Sequence, residues 1–148
     1  MTRINSAISV RCLTDEHLLA EHREIKRLPY NLQQAIKSGS IKRIPEKFTL
    51  GKGHVLFFLN KQDFVQTRYL KIYYECRKRG FNVQKFYDLW EDVPDEYLGD
   101  DYVQTQEEYK LLVERITERI KNSAKKSWHY YGKEISKDEA IRLLTQNV

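Results

Sequence analysis

Apolar residues recur at helical spacing in several stretches of the chain. Val65, Tyr69, Ile72, Tyr73 and Cys76 predict the core stripe of a long helix. Asn60 caps its start and Gly80 ends it, with Lys78 and Arg79 in the last turn, where the helix dipole favours cations. Tyr109, Leu112, Val113, Ile116 and Ile120 make a second stripe, and Thr105 with Glu108 supplies a capping box for a helix to about Asn122. Arg115 and Arg119 stack one turn apart on another face of that helix. A third long helix starts at Thr14, a good N-cap, with Asp15 and Glu16 in its first turn. It runs toward Ser38, where Gly39 stops it, and Pro29 kinks or splits it on the way. Ser136 and Glu139 cap a small C-terminal helix carrying Ile141, Leu143 and Leu144.

The remaining stretches are connectors. Residues 40–58 contain Pro45, Gly51 and Gly53, and their apolar end, Val55-Leu56-Phe57-Phe58, reads as the start of the next buried segment rather than a strand. A short helix is expected around Gln84–Trp90, followed by an acidic loop over 91–101. The pattern predicts an all-α chain. It reads as a single compact domain over residues 1–148, with three long helices, long irregular connectors and short accessory helices.

Composition narrows the classes. With 32% charged and 41% hydrophobic residues and no long apolar run, the chain reads as soluble, without a membrane span or secretory signal. Cys12 and Cys76 form no Cys-x-x-Cys pair and suit a reducing compartment, so a cytoplasmic location is expected, the host's if the chain is viral. The net charge is +5, from 26 Lys and Arg against 21 Asp and Glu. Its distribution says more than its size. Basic residues cluster at Arg23, Lys26 and Arg27, at Lys42 and Arg43, at Arg77 to Arg79 and at Lys125, Lys126 and Lys133, while much of the acid lies between Glu91 and Glu108. That asymmetry permits a basic face for a polyanion.

Candidate chemistry lies at three places. If Met1 is removed, Thr2 offers an α-amine with a pKa near 7.7–8.0, partly unprotonated and nucleophilic at neutral pH, beside Arg3. On the first helix, Arg23, Glu16, Arg27, Ala20, Glu24 and His17 fall on one continuous arc, so Glu24 is flanked by two arginines and a histidine. The plain alternative is a solvated face of mixed ion pairs; the functional one is a carboxylate kept ionised on a phosphate-binding surface. Finally, Lys125-Lys126-Ser127-Trp128-His129-Tyr130-Tyr131-Gly132-Lys133 interleaves aromatics with cations. That fits either bases stacking with phosphates alongside or an aromatic plug burying Trp128 and one tyrosine. No metal site is expected: His17 and His22 are five apart on a helix, and His54 sits on a glycine-bearing connector that lacks the full phosphate-loop pattern.

Together these pieces resemble the phage endonuclease V family, the pyrimidine dimer DNA glycosylases with AP-lyase activity. The matching blocks run in order: Met1-Thr2-Arg3-Ile4-Asn5, Asp15 to Glu24, Leu50 to Phe58, Glu75 to Asn82, Arg115 to Ile120 and Tyr130 to Lys133. The resemblance implies a helical repair enzyme that uses no metal or cofactor and acts as a monomer on double-stranded DNA holding a damaged base or abasic site. It implies Thr2 as the nucleophile and Glu24 as the catalytic carboxylate. Arg3, His17, Arg23, Arg27, Arg115 and Arg119 fall at DNA-binding or pocket positions, and Glu16, Trp128, Tyr130 and Tyr131 complete the expected substrate contacts. Departures from the family pattern are one extra residue between Asn5 and Thr14, Glu16 in place of Gln, His22 in place of Tyr, Arg119 in place of Lys, and an aromatic block one residue shorter. Glu16 and His22 motivate a rival reading, the same lyase chemistry on another lesion or modified base. A helical DNA-binding module without catalysis is the rival from another class.

Overall fold

In the computed structural model, residues 4–146 are described. The Thr14 hydroxyl accepts the His17 backbone N–H at 3.2 Å and starts α1, Asp15–Glu24. Helix α2, Arg27–Ser38, follows after Ile25 and Lys26, so the long helix expected here is split. The break comes before Pro29, which occupies the first turn of α2, where a missing N–H costs nothing. Gly39 then ends α2 in the left-handed conformation.

The apolar end of the next connector coils into a single turn, α3 (His54–Phe57), which leads into α4 (Gln62–Lys78). Asn60 does not cap α4. Its side-chain oxygen accepts the Lys61 ammonium at 3.0 Å, and Lys61 takes the cap position. The helix expected around Gln84–Trp90 is a 3-10 turn over Tyr87–Trp90. Helices α5 (Gln106–Asn122) and α6 (Lys137–Leu143) both begin with complete capping boxes, at Thr105/Glu108 and Ser136/Glu139.

The all-α expectation fails between α5 and α6. There, β1 (Ser127–Tyr130) and β2 (Lys133–Ser136) pair antiparallel, with Trp128 opposite Ile135. The fold is mainly helical with a small two-stranded sheet. Tyr131 and Gly132 form the two-residue loop, both at positive φ (51° and 79°), the left-handed pair whose twist matches that of the flanking strands.

The core gathers under α1 and α4. Val65, Tyr69, Ile72 and Cys76 are fully buried, as are Leu112 and Ile120 of α5, while Tyr73, Tyr109 and Val113 stay half-exposed at its margin. Two charged networks lie inside it. The Arg68 guanidinium grips Glu21 with Nε at 2.8 Å and Nη2 at 3.0 Å, and its Nη1 donates to the Ile8 carbonyl. The second network centres on Arg79, which binds Glu75 at 2.8 Å, Asp15 at 2.9 Å and the carbonyls of Leu13 and Val10.

Both networks are closed. Leaving one charge buried without its partner costs far more than the intact pair contributes. Arg68→Ala is therefore expected to lower the unfolding free energy by about 3–5 kcal/mol. Urea denaturation checks this, and a loss below about 1 kcal/mol, the ordinary value of a surface pair, would contradict it.

Candidate active site

The site is built along one side of α1. His17, Glu21 and Glu24 are spaced by four and three residues, so their side chains leave the helix in nearly the same direction. Glu21 is buried and held by Arg68. Glu24, the last residue of α1, is half-buried, with the exposed Arg23, Lys26 and Arg27 around it at the α1–α2 junction. The ion-paired acids among the described residues are Asp15, Glu16, Glu21 and Glu75; Glu24 is not one of them. Cations crowd this end of the helix while the carboxylate itself stays available.

The start of the chain is fastened to the same side. The Asn5 side chain donates to Glu21 at 3.0 Å, and the Ile4 N–H donates to Nε2 of His54 at 3.0 Å. Glu21 is one helical turn from Glu24. Thr2 and Arg3 lie outside the described residues.

About two turns before Glu24, roughly 10 Å along the helix, an open depression of about 610 Å³ is lined by His17, Arg115, Glu118, Arg119, Asn122, Ser123 and Trp128. The His17 and Trp128 rings stack with centroids 5.0 Å apart and planes within 9°. Nδ1 of His17 is hydrogen-bonded to the Thr14 hydroxyl at 2.8 Å. Burial pushes the His17 pKa down to about 4, helped by Arg119 and Lys125 against the opposing pull of Glu16 and Glu21. At neutral pH the His17 ring is therefore uncharged, packed on the buried Trp128 with the Lys125 ammonium 5.0 Å from the indole, and two arginines line the depression beside them. The guanidiniums can bind phosphate.

Four expected site residues, His17, Arg115, Arg119 and Trp128, thus meet at the depression, and Arg23, Glu24 and Arg27 meet at the far end of the same helix side. Three others are used differently. Glu16 holds the hairpin: it accepts the backbone N–H of His129 at 2.9 Å, its Nδ1–H at 2.8 Å and the Lys125 ammonium at 3.1 Å. Burial alone would raise the Glu16 pKa, but the hydrogen bonds from His129 and Lys125 bring it down to about 2. Tyr130 and Tyr131 engage Arg79 and its surroundings. Their rings lie on the Arg79 guanidinium, each 4.7 Å away, and their hydroxyls donate to the Arg11 carbonyl and to Glu75. Asp15, read from the sequence only as a helix-start charge, accepts the Tyr131 and Gly132 N–H groups at 3.1 and 2.9 Å. His22 turns away from the depression, against Tyr69 and Phe86, and donates from Nε2 to the Gln84 carbonyl.

Glu21, Asn5 and His54 went unassigned in the sequence, although Glu21 carried a signal. It falls three residues after Leu18 and four before Ile25, on the apolar side of α1, where a carboxylate needs a buried partner. Among the described residues no cluster of His, Cys, Asp and Glu could hold a metal ion, and no helix is long and apolar enough to cross a membrane.

Glu16, His17 and His22, all on α1, are shifted in the same direction, His22 downward by burial. His17 falls from 6.5 to about 4 and Glu16 from 4.5 to about 2, so the unfolded chain takes up each proton first. Each group's contribution to stability is complete above its unfolded pKa and is lost as pH falls to the folded one. The urea midpoint should drop with acid through both windows, and His17→Gln should flatten the drop between pH 6.5 and 4 while leaving the one below it. An unchanged slope above pH 4 in that variant would contradict the burial of a neutral imidazole.

A family model described as pyrimidine dimer DNA glycosylase matches residues 1–89. The matched span holds the N-terminal anchor, α1 with Glu24, His54 and Arg68, and ends inside the 3-10 turn before Trp90. Arg115, Arg119 and Trp128 lie beyond it and join the site through the fold. Matched over more than half of its length, the chain belongs to the pyrimidine dimer DNA glycosylase family.

Proposed function

We propose that the chain is a DNA repair glycosylase with AP-lyase activity that excises UV-induced cyclobutane pyrimidine dimers from double-stranded DNA. The observation that supports this reading is the fastening of Ile4 to His54 and of Asn5 to Glu21, which stands one helical turn before Glu24.

Removal of Met1 frees the Thr2 amine. Its lone pair attacks C1′ of the damaged nucleotide, the C1′–N bond breaks, and the base leaves with the bonding pair and takes a proton. The sugar ring opens as the nitrogen loses a proton and C1′=N⁺ forms. Glu24 stabilises the cationic sugar, and Glu24 or a water it orients removes a C2′ proton. Elimination then breaks the C3′–O bond and expels the 3′ phosphate, and water releases the amine by hydrolysing the imine. Arg3, Arg23 and Arg27 bind phosphates beside the reacting sugar, and Arg115 and Arg119 bind them at the depression. A base inside a duplex is out of reach of such a pocket, so a nucleotide must leave the stack.

Borohydride reduction on an abasic-site duplex should trap a covalent adduct that maps to Thr2. A chain with a verified free Thr2 amine that gives no adduct would instead be a binding module. Glu24→Gln should keep DNA affinity and lose base release by about a hundredfold or more; full glycosylase activity in that variant would sink the role of Glu24. Arg119→Ala should reduce the salt slope of binding by about 0.9, one phosphate contact, measured by titration at several ionic strengths.

A further inference from the structure

One fully buried histidine sits where the first residues of the chain enter the fold. His54 closes the turn Gly51-Lys52-Gly53 and begins α3. The two glycines make no phosphate cradle here. The Gly51 N–H donates to the Thr49 hydroxyl at 3.1 Å, and a Cβ on Gly53 would lie 3.0 Å from the Thr49 methyl and 3.1 Å from Pro45. They allow a tight turn that seats the imidazole. Phe48 and Phe58 meet the ring edge-on, with centroids 5.5 and 5.4 Å away, and fix its plane.

Both ring nitrogens are engaged. Nδ1 faces the Thr49 carbonyl at 2.9 Å, and since a carbonyl only accepts, Nδ1 carries the proton. Nε2 therefore presents a lone pair, which receives the Ile4 N–H at 3.0 Å. Ile4 is two residues from Thr2. With Asn5 held on Glu21, the segment following Thr2 is fixed at two points, one on the backbone and one on a side chain.

We propose that His54 is a positioning residue for the N-terminal amine. Its Nε2 lone pair holds the Ile4 nitrogen, two residues along the chain from the Thr2 amine. This rests on the amine chemistry proposed above. A nucleophile loses about a hundredfold in rate when displaced by about 1 Å from its attack geometry, so a bond this close to the amine acts on the rate of attack more than on DNA binding.

The test compares single-turnover borohydride trapping on saturating abasic-site duplex with the Kd for a reduced, unreactive abasic analogue. In His54→Asn the shorter side chain can still reach Thr49 but not Ile4, and trapping should slow about tenfold or more with an unchanged Kd. In His54→Gln the amide oxygen can reach the Ile4 N–H, and trapping should recover. Urea midpoints establish that each variant is folded. If the Asn variant does not fold, a second variant decides. Cys12 allows a synthetic segment of residues 2–11 to be ligated to residues 12–148, with the Ile4 amide replaced by an ester that deletes only that donor. The ester chain should also trap slowly. Equal trapping rates in wild type, Asn and ester chains would overturn the role of His54 and leave the amine chemistry intact. The absence of a Thr2 adduct in wild type would overturn that chemistry and this proposal with it.

Discussion

The buried pairing of Arg68 with Glu21 is the constraint from which the rest of the site follows. A carboxylate 1% exposed cannot stay charged in an apolar core without donors. Arg68 gives it two and Asn5 a third. The guanidinium has an N–H to spare and gives it to the Ile8 carbonyl, so one cation binds α4, α1 and the chain before α1 together. Because Glu21 stands one turn before Glu24, an interaction that holds the core also holds Asn5 one helical turn from that carboxylate.

A second set of charges repeats the device at the other end of α1. Asp15 accepts two backbone N–H groups of the hairpin loop, Glu16 accepts from β1, and Arg79 lies beneath Asp15 with Tyr130 and Tyr131 on its plane. The first turn of α1 thereby clamps the hairpin that brings Trp128 onto His17. Glu16 is bonded to the hairpin. An ionised carboxylate accepts three bonds here, from Lys125 and both the backbone and the ring of His129.

This internal use of charge also changes how the net charge is read. Arg68 and Arg79 are buried inside the networks and contribute nothing to an outer face. The cations that remain exposed beside the site are Arg23, Lys26 and Arg27 at the α1–α2 junction and Arg119 and Lys125 near the depression. They lie at the two ends of one helix side, an arrangement that matches the extended track of a nucleic-acid backbone better than a single patch does.

Local patterns were legible where a local cause decides the structure. The capping boxes at Thr105 and Ser136, the N-cap at Thr14, the stripes of α4 and α5 and the position of Glu24 on α1 all follow from hydrogen bonds and spacings within a few residues. Asn60 misled because a nearer partner, the Lys61 ammonium, took its side chain. The hairpin was missed although Tyr131-Gly132 sits between aromatic and β-branched positions, because a two-residue turn gains its stability from Asp15 and Arg79, far away in sequence. The sequence by itself determined which helices form and which residues the family pattern assigns to chemistry. Only the tertiary structure decided that Glu21 meets Arg68, that His54 receives Ile4, and that Tyr130 and Tyr131 belong to a clamp. The reason is physical: a side chain's periodicity says which face it occupies, but a buried charge or donor is defined by its partner, and these partners lie between 16 and 119 residues away in the chain.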